Sequence, residues 1–144
     1  MKILENIEKK IKMTPQRAAI LKYLEGNASH PSAEDIFESV RKKYPMISFT
    51  TVYNTLQTLK DLDRLRELNI DDERKRYDPN VNLHHHLICN NCKKIVDIFM
   101  DFPLDISEEE AQGYMISGRH VEFYGLCPKC RKAKNKGQGN RNRD

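Results

Sequence analysis

The sequence predicts an α+β protein made of two successive units, the first mainly helical and the second built of short strands beside a metal site. Three observations lead to this prediction. Apolar residues recur at helical spacing through residues 1–62, where three segments also carry helix start signals. Apolar and polar residues alternate in short runs after residue 80, as they do in strands. The same part of the chain holds two Cys-x-x-Cys pairs.

Three helices are predicted in the first unit because three segments begin with a side chain that can cap a helix N-terminus. The first cap is followed by a proline at the first helical position, which favours a helix start. The second is followed three residues later by an aspartate, as in a capping box. The three capping residues are Thr14, Ser32 and Ser48.

Two short strands are predicted next, at residues 65–70 and 75–77, joined through an acidic turn. Three helices followed by a hairpin is the order of a winged helix-turn-helix, whose third helix enters the major groove of DNA. The polar face of this third helix carries side chains that can contact bases or phosphates, although a solvated face on an ordinary helix is the alternative interpretation. The candidate DNA-binding residues are Thr51, Tyr53, Asn54 and Gln57.

Changes of composition predict the domain boundaries. A DNA-binding unit is expected at residues 1–78, followed by a Pro- and Asn-rich linker at residues 79–83 and a second unit at residues 84–131. Residues 132–144 are polar, basic and rich in Gly and Asn, which is typical of disorder. Within the second unit, strands are predicted at 95–99 and 120–125 and a short helix at 106–112.

Composition also restricts the class of protein. No apolar run approaches the ~20 residues needed to cross a membrane, and the first residues do not resemble a signal peptide. A cytoplasmic protein without a membrane partner is therefore expected, and thiols in that compartment bind metals more often than they form disulfides. A net charge of +4 is weak evidence for nucleic acid. The basic clusters outside the C-terminal tail lie mainly in residues 1–80, so a DNA-facing surface is expected in the first unit.

The four cysteines, Cys89, Cys92, Cys127 and Cys130, are the only ones in the chain. Two residues between the members of each pair allow both thiolates to reach one ion, and two such pairs predict a closed tetrahedral zinc site with a structural role. Four thiols without a ligand and redox-active dithiols are the alternatives, but the latter do not require two matched pairs.

A histidine cluster precedes the first cysteine pair. His84 and His86 would project from the same face of an extended chain, and His85 would point away. Asp97 lies within an otherwise apolar strand, where a carboxylate is costly unless it is paired or bound to a metal. Nitrogen and oxygen ligands suit iron(II), manganese(II) or zinc, so a second metal site is predicted, with an exposed histidine cluster as the alternative.

Five short motifs occur in an order that makes the chain resemble the repressors of the ferric uptake regulator family. The resemblance covers about residues 10–131. It implies a homodimer that binds double-stranded operator DNA, an N-terminal winged helix, a C-terminal α/β dimerisation domain and a structural zinc held by the four cysteines. The motifs are Thr14-Pro15-Gln16-Arg17, His30-Pro31-Ser32-Ala33-Glu34-Asp35-Ile36, Thr51-Val52-Tyr53-Asn54, His84-His85-His86-Leu87-Ile88-Cys89 and Tyr124-Gly125-Leu126-Cys127.

The resemblance also implies a regulatory site for iron(II) or manganese(II) at the hinge between the units. Only this comparison brings His30 into the ligand set, because a histidine before a proline has no metal signal of its own. The implied ligands are His30, Asp78, His84, His86 and Asp97.

Two features bear on the signal that the chain senses. Members of the family that sense peroxide through iron resemble this chain in having aspartate at the position of Asp97, whereas iron-uptake regulators typically have glutamate. The resemblance then implies that His30 and His84 are the rings that become oxidised. Iron-uptake members often have a further histidine where Arg119 stands, and His120 is expected on the opposite strand face, which counts against a third metal site.

Two alternatives to a peroxide-sensing repressor follow from the same residues. An iron- or zinc-uptake repressor would have the same fold. A small zinc hydrolase would use His84, His86 and Asp97 around an open coordination position. The sequence contains no His-Glu-x-x-His helix and no nucleophile constellation, and a hydrolase would leave the first unit without a role. Peroxide-sensing relatives also often have arginine where Gln57 stands, so the operator contacts are expected to differ.

Overall fold

The computed structural model describes residues 7–138, which form two compact units with their boundary between Asn82 and Leu83. Each unit has its own secondary structure and is considered by itself. No helix in the described part of the chain is long and apolar enough to cross a membrane.

The first unit begins with three helices that start where the capping signals predict. In each, the hydroxyl of the capping residue accepts a hydrogen bond from the backbone N–H three residues later, at 3.0–3.2 Å. The second start is a complete capping box, because the Asp35 carboxylate also accepts from the N–H of Ser32 at 3.0 Å. The helices are α1 (Pro15–Leu24), α2 (Ala33–Val40) and α3 (Phe49–Asp61).

The core of this unit lies between the three helices and the hairpin that follows them. Each helix buries one apolar face, and a fully buried Leu or Ile contributes roughly 1.5–3 kcal/mol relative to an exposed one. The core therefore fixes the polar face of α3 toward solvent. The core side chains include Ile20, Leu21, Leu24, Ile36, Val40, Val52, Leu56 and Leu59.

The hairpin consists of β1 (Arg66–Leu68) and β2 (Arg76–Asp78), paired antiparallel so that Arg66 lies opposite Asp78. The strand β1 is shorter than predicted because the chain turns early, where the Asp71 carboxylate accepts a hydrogen bond from the N–H of Glu73 at 3.0 Å. The strand β2 extends one residue further than predicted. Asp78 is thus a strand residue with a fixed backbone.

The second unit contains a three-stranded sheet with β3 (His85–Cys89) at its centre. Strand β4 (Ile95–Ile98) pairs with it antiparallel, and β5 (Glu122–Gly125) pairs with it parallel. A short helix, α4 (Glu108–Ala111), starts at the hydroxyl of Ser107, and α5 (Pro128–Gln138) follows the last strand. The sequence predicts β4 and β5 as strands, but it predicts neither β3 as a strand nor its parallel pairing with β5, which joins segments that are distant along the chain.

Helix α5 shows that the prediction of disorder from residue 132 is wrong for residues 132–138; residues 139–144 lie outside the described part of the chain. Pro128 occupies the first helical position, where its missing N–H costs nothing. The backbone N–H of Arg131 donates to the carbonyl of Cys127 at 2.8 Å, so the helix starts within the second cysteine pair. Lys, Arg and Ala, which favour helices, then continue it.

The second unit leaves many large apolar side chains exposed. They extend over the sheet and the connections between strands, and several expose more than half of their surface. An apolar surface of this extent is typical of a protein interface. These side chains include Val96, Phe99, Met100, Leu104, Ile106, Tyr114, Met115, Ile116, Phe123 and Tyr124.

Candidate metal centres and DNA interface

The four cysteine side chains converge in the second unit. Their sulfur atoms all lie within 4.8 Å of one another, and Cys92 Sγ is 3.7 Å from Cys127 Sγ. A tetrahedral site with Zn–S bonds of ~2.3 Å has S···S edges of about 3.8 Å, so this spacing fits zinc. Four thiols in one cluster do not form two separate dithiols, which favours a shared ion over redox-active pairs.

Local backbone geometry holds each cysteine pair in place. Cys89 ends β3, and the chain turns at Lys93, which has a left-handed backbone with φ of +64°. The N–H of Cys127 donates to Cys89 Sγ and the N–H of Cys130 donates to Cys127 Sγ, both at 3.4 Å. These backbone N–H groups stabilise negative charge on the sulfur atoms, as the short spacing predicts.

The same contacts shift the acidity of the thiols. Hydrogen bonds from the backbone of Cys127 and then of Cys92 lower the pKa of Cys89 to about 6. The backbone N–H of Cys130 likewise lowers the pKa of Cys127. A hydrogen bond from Asn91 lowers the pKa of Cys130, but the adjacent sulfur atoms, Cys127 first, outweigh it and raise this pKa to about 11. Four thiolates in this cluster therefore need a cation between them, and Zn²⁺ fits that requirement.

A second cluster in this unit consists of His84, His86 and Asp97. Asp97 Oδ1 lies 3.0 Å from His84 Nε2 and 3.4 Å from His86 Nε2. The register of the sheet explains this convergence, since His86 pairs with Asp97 across β3 and β4 and His84 lies two residues away. Both histidines are buried, and their ring centroids are 4.7 Å apart. Two imidazole nitrogens beside one carboxylate oxygen form a donor set that suits iron(II), manganese(II) or zinc.

His85 is turned away from this cluster, as strand alternation predicts. Its Nδ1 accepts a hydrogen bond from the N–H of Val121 at 3.0 Å, and its ring lies 5.0 Å from that of Phe102. His85 therefore connects β3 to the residue that precedes β5. The middle residue of the histidine motif is a structural residue here.

His30 and Asp78 form a buried pair within the first unit. His30 Nε2 lies 3.5 Å from Asp78 Oδ2, and neither side chain is more than 1% exposed. His30 has φ of +54°, a left-handed conformation that non-glycine residues rarely adopt. Such a conformation persists only where the surroundings impose it. His30 is thus held in an unfavourable backbone conformation beside a carboxylate, which an ordinary helix-flanking residue would not need.

Arg76 supplies that restraint, and sequence reasoning missed it. Its Nε donates to the carbonyl of His30, and a terminal nitrogen donates to the carbonyl of Ser29 at 3.3 Å. Another guanidinium nitrogen lies 3.4 Å from Asp71 Oδ2. Burial alone would raise the pKa of Asp71, but hydrogen bonds from Glu73 N–H and Arg76 together hold it below its ordinary value. No local sequence signal distinguishes Arg76 from its basic neighbours Arg74 and Lys75, because its burial appears only in the folded strand.

The candidate DNA-reading residues lie on α3 as predicted, but they are not equally accessible. Tyr53, Asn54 and Gln57 are exposed, whereas Thr51 is half-buried and its hydroxyl lies 2.8 Å from that of Ser48 in the helix cap. The amide of Gln57 donates to Asp61 at 3.0 Å. Asn54 and Tyr53 are therefore the best placed of the four for contact with bases.

Comparison with known proteins places the chain in one family. The profile of the ferric uptake regulator family matches residues 8–124. The peroxide-responsive repressor PerR of Staphylococcus epidermidis is 39% identical, over 87% of this chain and 85% of the relative. The structure of PerR from Streptococcus pyogenes is 36% identical, with a TM-score of 0.51 over 90% of this chain and 94% of that one. The ferric uptake regulator Fur of Helicobacter pylori, 24% identical, has the same fold, with a TM-score of 0.71 over 90% of this chain and 91% of that one.

The predicted α+β fold, with a winged helix and a four-cysteine cluster, is confirmed.

Proposed function

The chain belongs to the ferric uptake regulator family, and we propose that it is a metal-dependent DNA-binding repressor that leaves its operator in response to peroxide. The observation that carries this proposal is the convergence of two buried histidine nitrogens on one oxygen of Asp97. It occurs in a chain that is 39% identical to a peroxide-responsive repressor. Its relatives are transcriptional regulators, so the chain is a regulator and not a hydrolase.

The chain uses two kinds of metal. Zinc has a structural role at the four cysteines, where no coordination position remains for a substrate. Iron(II) or manganese(II) has the regulatory role, at ligands that are nitrogen and oxygen atoms only. The two sites thus differ in their ligand atoms, so the regulatory metal can be exchanged while the structural zinc stays bound.

The regulatory ligand set is proposed to include His30 and Asp78 together with His84, His86 and Asp97. Each unit alone offers too few donors, two in the first unit and three in the second, for an ion that prefers five or six. Only a short linker separates Asp78 from His84 in the sequence. Arg76 fixes the His30 backbone, so that the first unit presents a preformed pair of ligands.

An ion bound by residues of both units favours one arrangement of the DNA-binding units over others. Metal can shift this equilibrium only to the extent that it binds the DNA-competent arrangement more tightly. The metal would then set the spacing of the two recognition helices in a homodimer. The exposed apolar surface of the second unit supports a homodimer, since a buried interface would cover it. Such a regulator acts in the cytoplasm, where reducing conditions preserve the thiolates.

Peroxide sensing is proposed to act through the ligand rings themselves. Iron(II), when bound, would supply the redox chemistry that cleaves the O–O bond of peroxide, and the oxygen atom gained by a ring would come from the peroxide. His30 and His84 are the proposed targets because the resemblance to peroxide-sensing members of the family implies these two rings of the ligand set. A ring that has gained oxygen is a poorer ligand, so the two units separate and the operator is released. The cysteines stay unmodified because a closed zinc site shields their thiolates.

Mass spectrometry of the zinc-containing protein tests this proposal. Iron(II)-loaded protein treated with dilute peroxide is expected to gain one oxygen atom on peptides that contain His30 or His84, whereas manganese-loaded protein is expected to gain none. Asp97→Glu is expected to keep metal-dependent DNA binding and to lose much of the peroxide response. Oxidation confined to the cysteines, or equal oxidation with manganese, would instead identify a metal-uptake repressor of the same fold.

Operator recognition is proposed to depend on the exposed face of α3. Asn54→Ala is expected to relax sequence specificity, since a bidentate base contact contributes roughly 1–3 kcal/mol of discrimination. Binding to an operator and to scrambled DNA, measured at several salt concentrations, gives the specificity ratio. Lys10→Ala is the control, because an exposed lysine that contacts phosphate weakens binding to every sequence and lowers the salt dependence. An unchanged specificity ratio in Asn54→Ala would show that a surface other than this face of α3 recognises the bases.

A further inference from the structure

His120 lies against the nitrogen of His86 that faces away from Asp97. His86 Nδ1 is 2.9 Å from His120 Nε2, a hydrogen-bond distance, while His86 Nε2 is directed toward Asp97. The two rings are 5.1 Å apart between centroids and are inclined by 57°. His86 therefore has a partner at each ring nitrogen.

A second contact continues beyond His120. His120 Nδ1 lies 3.4 Å from Glu122 Oε1, and the other carboxylate oxygen of Glu122 accepts a hydrogen bond from the hydroxyl of Tyr124. Backbone pairing brings these residues to His86, since β5 runs parallel to β3 and Glu122 is the register partner of His86. The N–H of His86 also donates to the carbonyl of Val121 at 3.2 Å.

The direction of these hydrogen bonds follows from the carboxylate. An ionised carboxylate only accepts hydrogen bonds, so His120 Nδ1 is the donor to Glu122. In neutral His120 the other nitrogen, Nε2, is then an acceptor, and His86 Nδ1 must donate to it. When a cation lies between His86 Nε2 and the Asp97 carboxylate, the proton of His86 must reside on Nδ1, where His120 Nε2 is placed to accept it. This is the tautomer that a metal ligand binding through Nε2 requires.

We propose that His120, oriented by Glu122, is a positioning residue that fixes the ring and the tautomer of His86 for metal binding. This inference rests on the proposed role of His86 as a regulatory ligand. The sequence placed His120 on the strand face opposite Arg119, which is the face of Glu122, and Glu122 is the register partner of His86. Arg119, its neighbour, instead makes an ion pair with Asp101 at 3.2 Å.

Three variants of the full-length zinc-containing protein test the inference. His120→Ala removes the acceptor for His86. His120→Gln restores one, because an extended glutamine can place its amide oxygen near the position of His120 Nε2. Arg119→Ala is the matched control, since it alters the adjacent residue without touching His86. Zinc content and circular dichroism establish that each variant is folded.

Two measurements are compared across these proteins. The dissociation constant for manganese is expected to rise roughly 10–100-fold in His120→Ala, as for other outer-shell partners, and to stay near the wild-type value in His120→Gln and Arg119→Ala. Imidazole ¹H–¹⁵N spectra, recorded with diamagnetic zinc also in the regulatory site, are expected to show a slowly exchanging Nδ1–H of His86 in wild type and His120→Gln and a rapidly exchanging one in His120→Ala.

An unchanged Nδ1–H exchange rate of His86 and an unchanged manganese affinity in His120→Ala would overturn the inference, as would a His120→Gln protein that keeps zinc but has the alanine phenotype. A different result would contradict the proposed regulatory site itself: a wild-type protein that binds zinc but no manganese.

Discussion

Cys92→Ser is expected to lose zinc and, with it, the ordered fold of the second unit. Cys92 Sγ lies 3.7 Å from Cys127 Sγ in a cluster that connects the end of β3 to the start of α5. Structural zinc contributes apparent binding free energies of about 10–16 kcal/mol in small modules, which is as large as the whole stability of a typical domain. The second unit also exposes much of its apolar surface, so packing within one chain offers little compensation.

Metal analysis, limited proteolysis and sedimentation together check this prediction. The variant is expected to contain little zinc, to be cleaved within residues 83–138 and to lose the proposed dimer. Asn90→Ser is the matched control, because it changes an exposed residue of the same turn and leaves all four thiols in place. A Cys92→Ser protein with one zinc per chain and a normal dimer would show that the cluster does not hold this unit together.

The parts of the fold that the sequence predicted well depend on neighbouring residues. The starts of α1, α2 and α3 follow from hydroxyl side chains that cap N–H groups only three residues away. The ends of the hairpin strands differ from the prediction because a side-chain contact within the turn, at Asp71, decides where pairing stops. The parallel pairing of β3 with β5 depends on contacts between distant segments, for which a single sequence has no local signal.

The candidate sites likewise contain some features that have a local sequence signal and others that do not. Spacing alone predicts the convergence of the cysteines, and strand alternation predicts that His84 and His86 share a face. The burial of His30 beside Asp78 has no local sequence signal, because it depends on a left-handed residue held by Arg76 from a distant strand. The tail prediction failed because composition indicates the tendency to disorder but not the stabilising effect of a helix start at Pro128.

His86→Ala is expected to abolish metal-dependent operator binding while the structural zinc remains. His86 has a partner at each ring nitrogen, with Asp97 at one and His120 at the other. Since loss of an outer-shell partner weakens metal binding roughly 10–100-fold, loss of the ligand itself is expected to weaken it by at least about 100-fold. The cysteine cluster shares no ligand with this site, so zinc content and the dimer are expected to persist.

Fluorescence anisotropy of labelled operator DNA, titrated with the protein at several manganese concentrations, measures this effect. Wild-type affinity is expected to rise with manganese, whereas the affinity of His86→Ala is expected to stay at the metal-free level, because metal then has no differential affinity through which to shift the equilibrium. His85→Gln is the matched control: it removes the adjacent imidazole from the other face of β3, keeps an acceptor for the N–H of Val121 and is expected to retain the manganese response. If wild-type protein with its zinc in place bound the operator equally with and without a chelator of manganese, the DNA-competent arrangement would not depend on the second metal, and the histidine cluster would need another role.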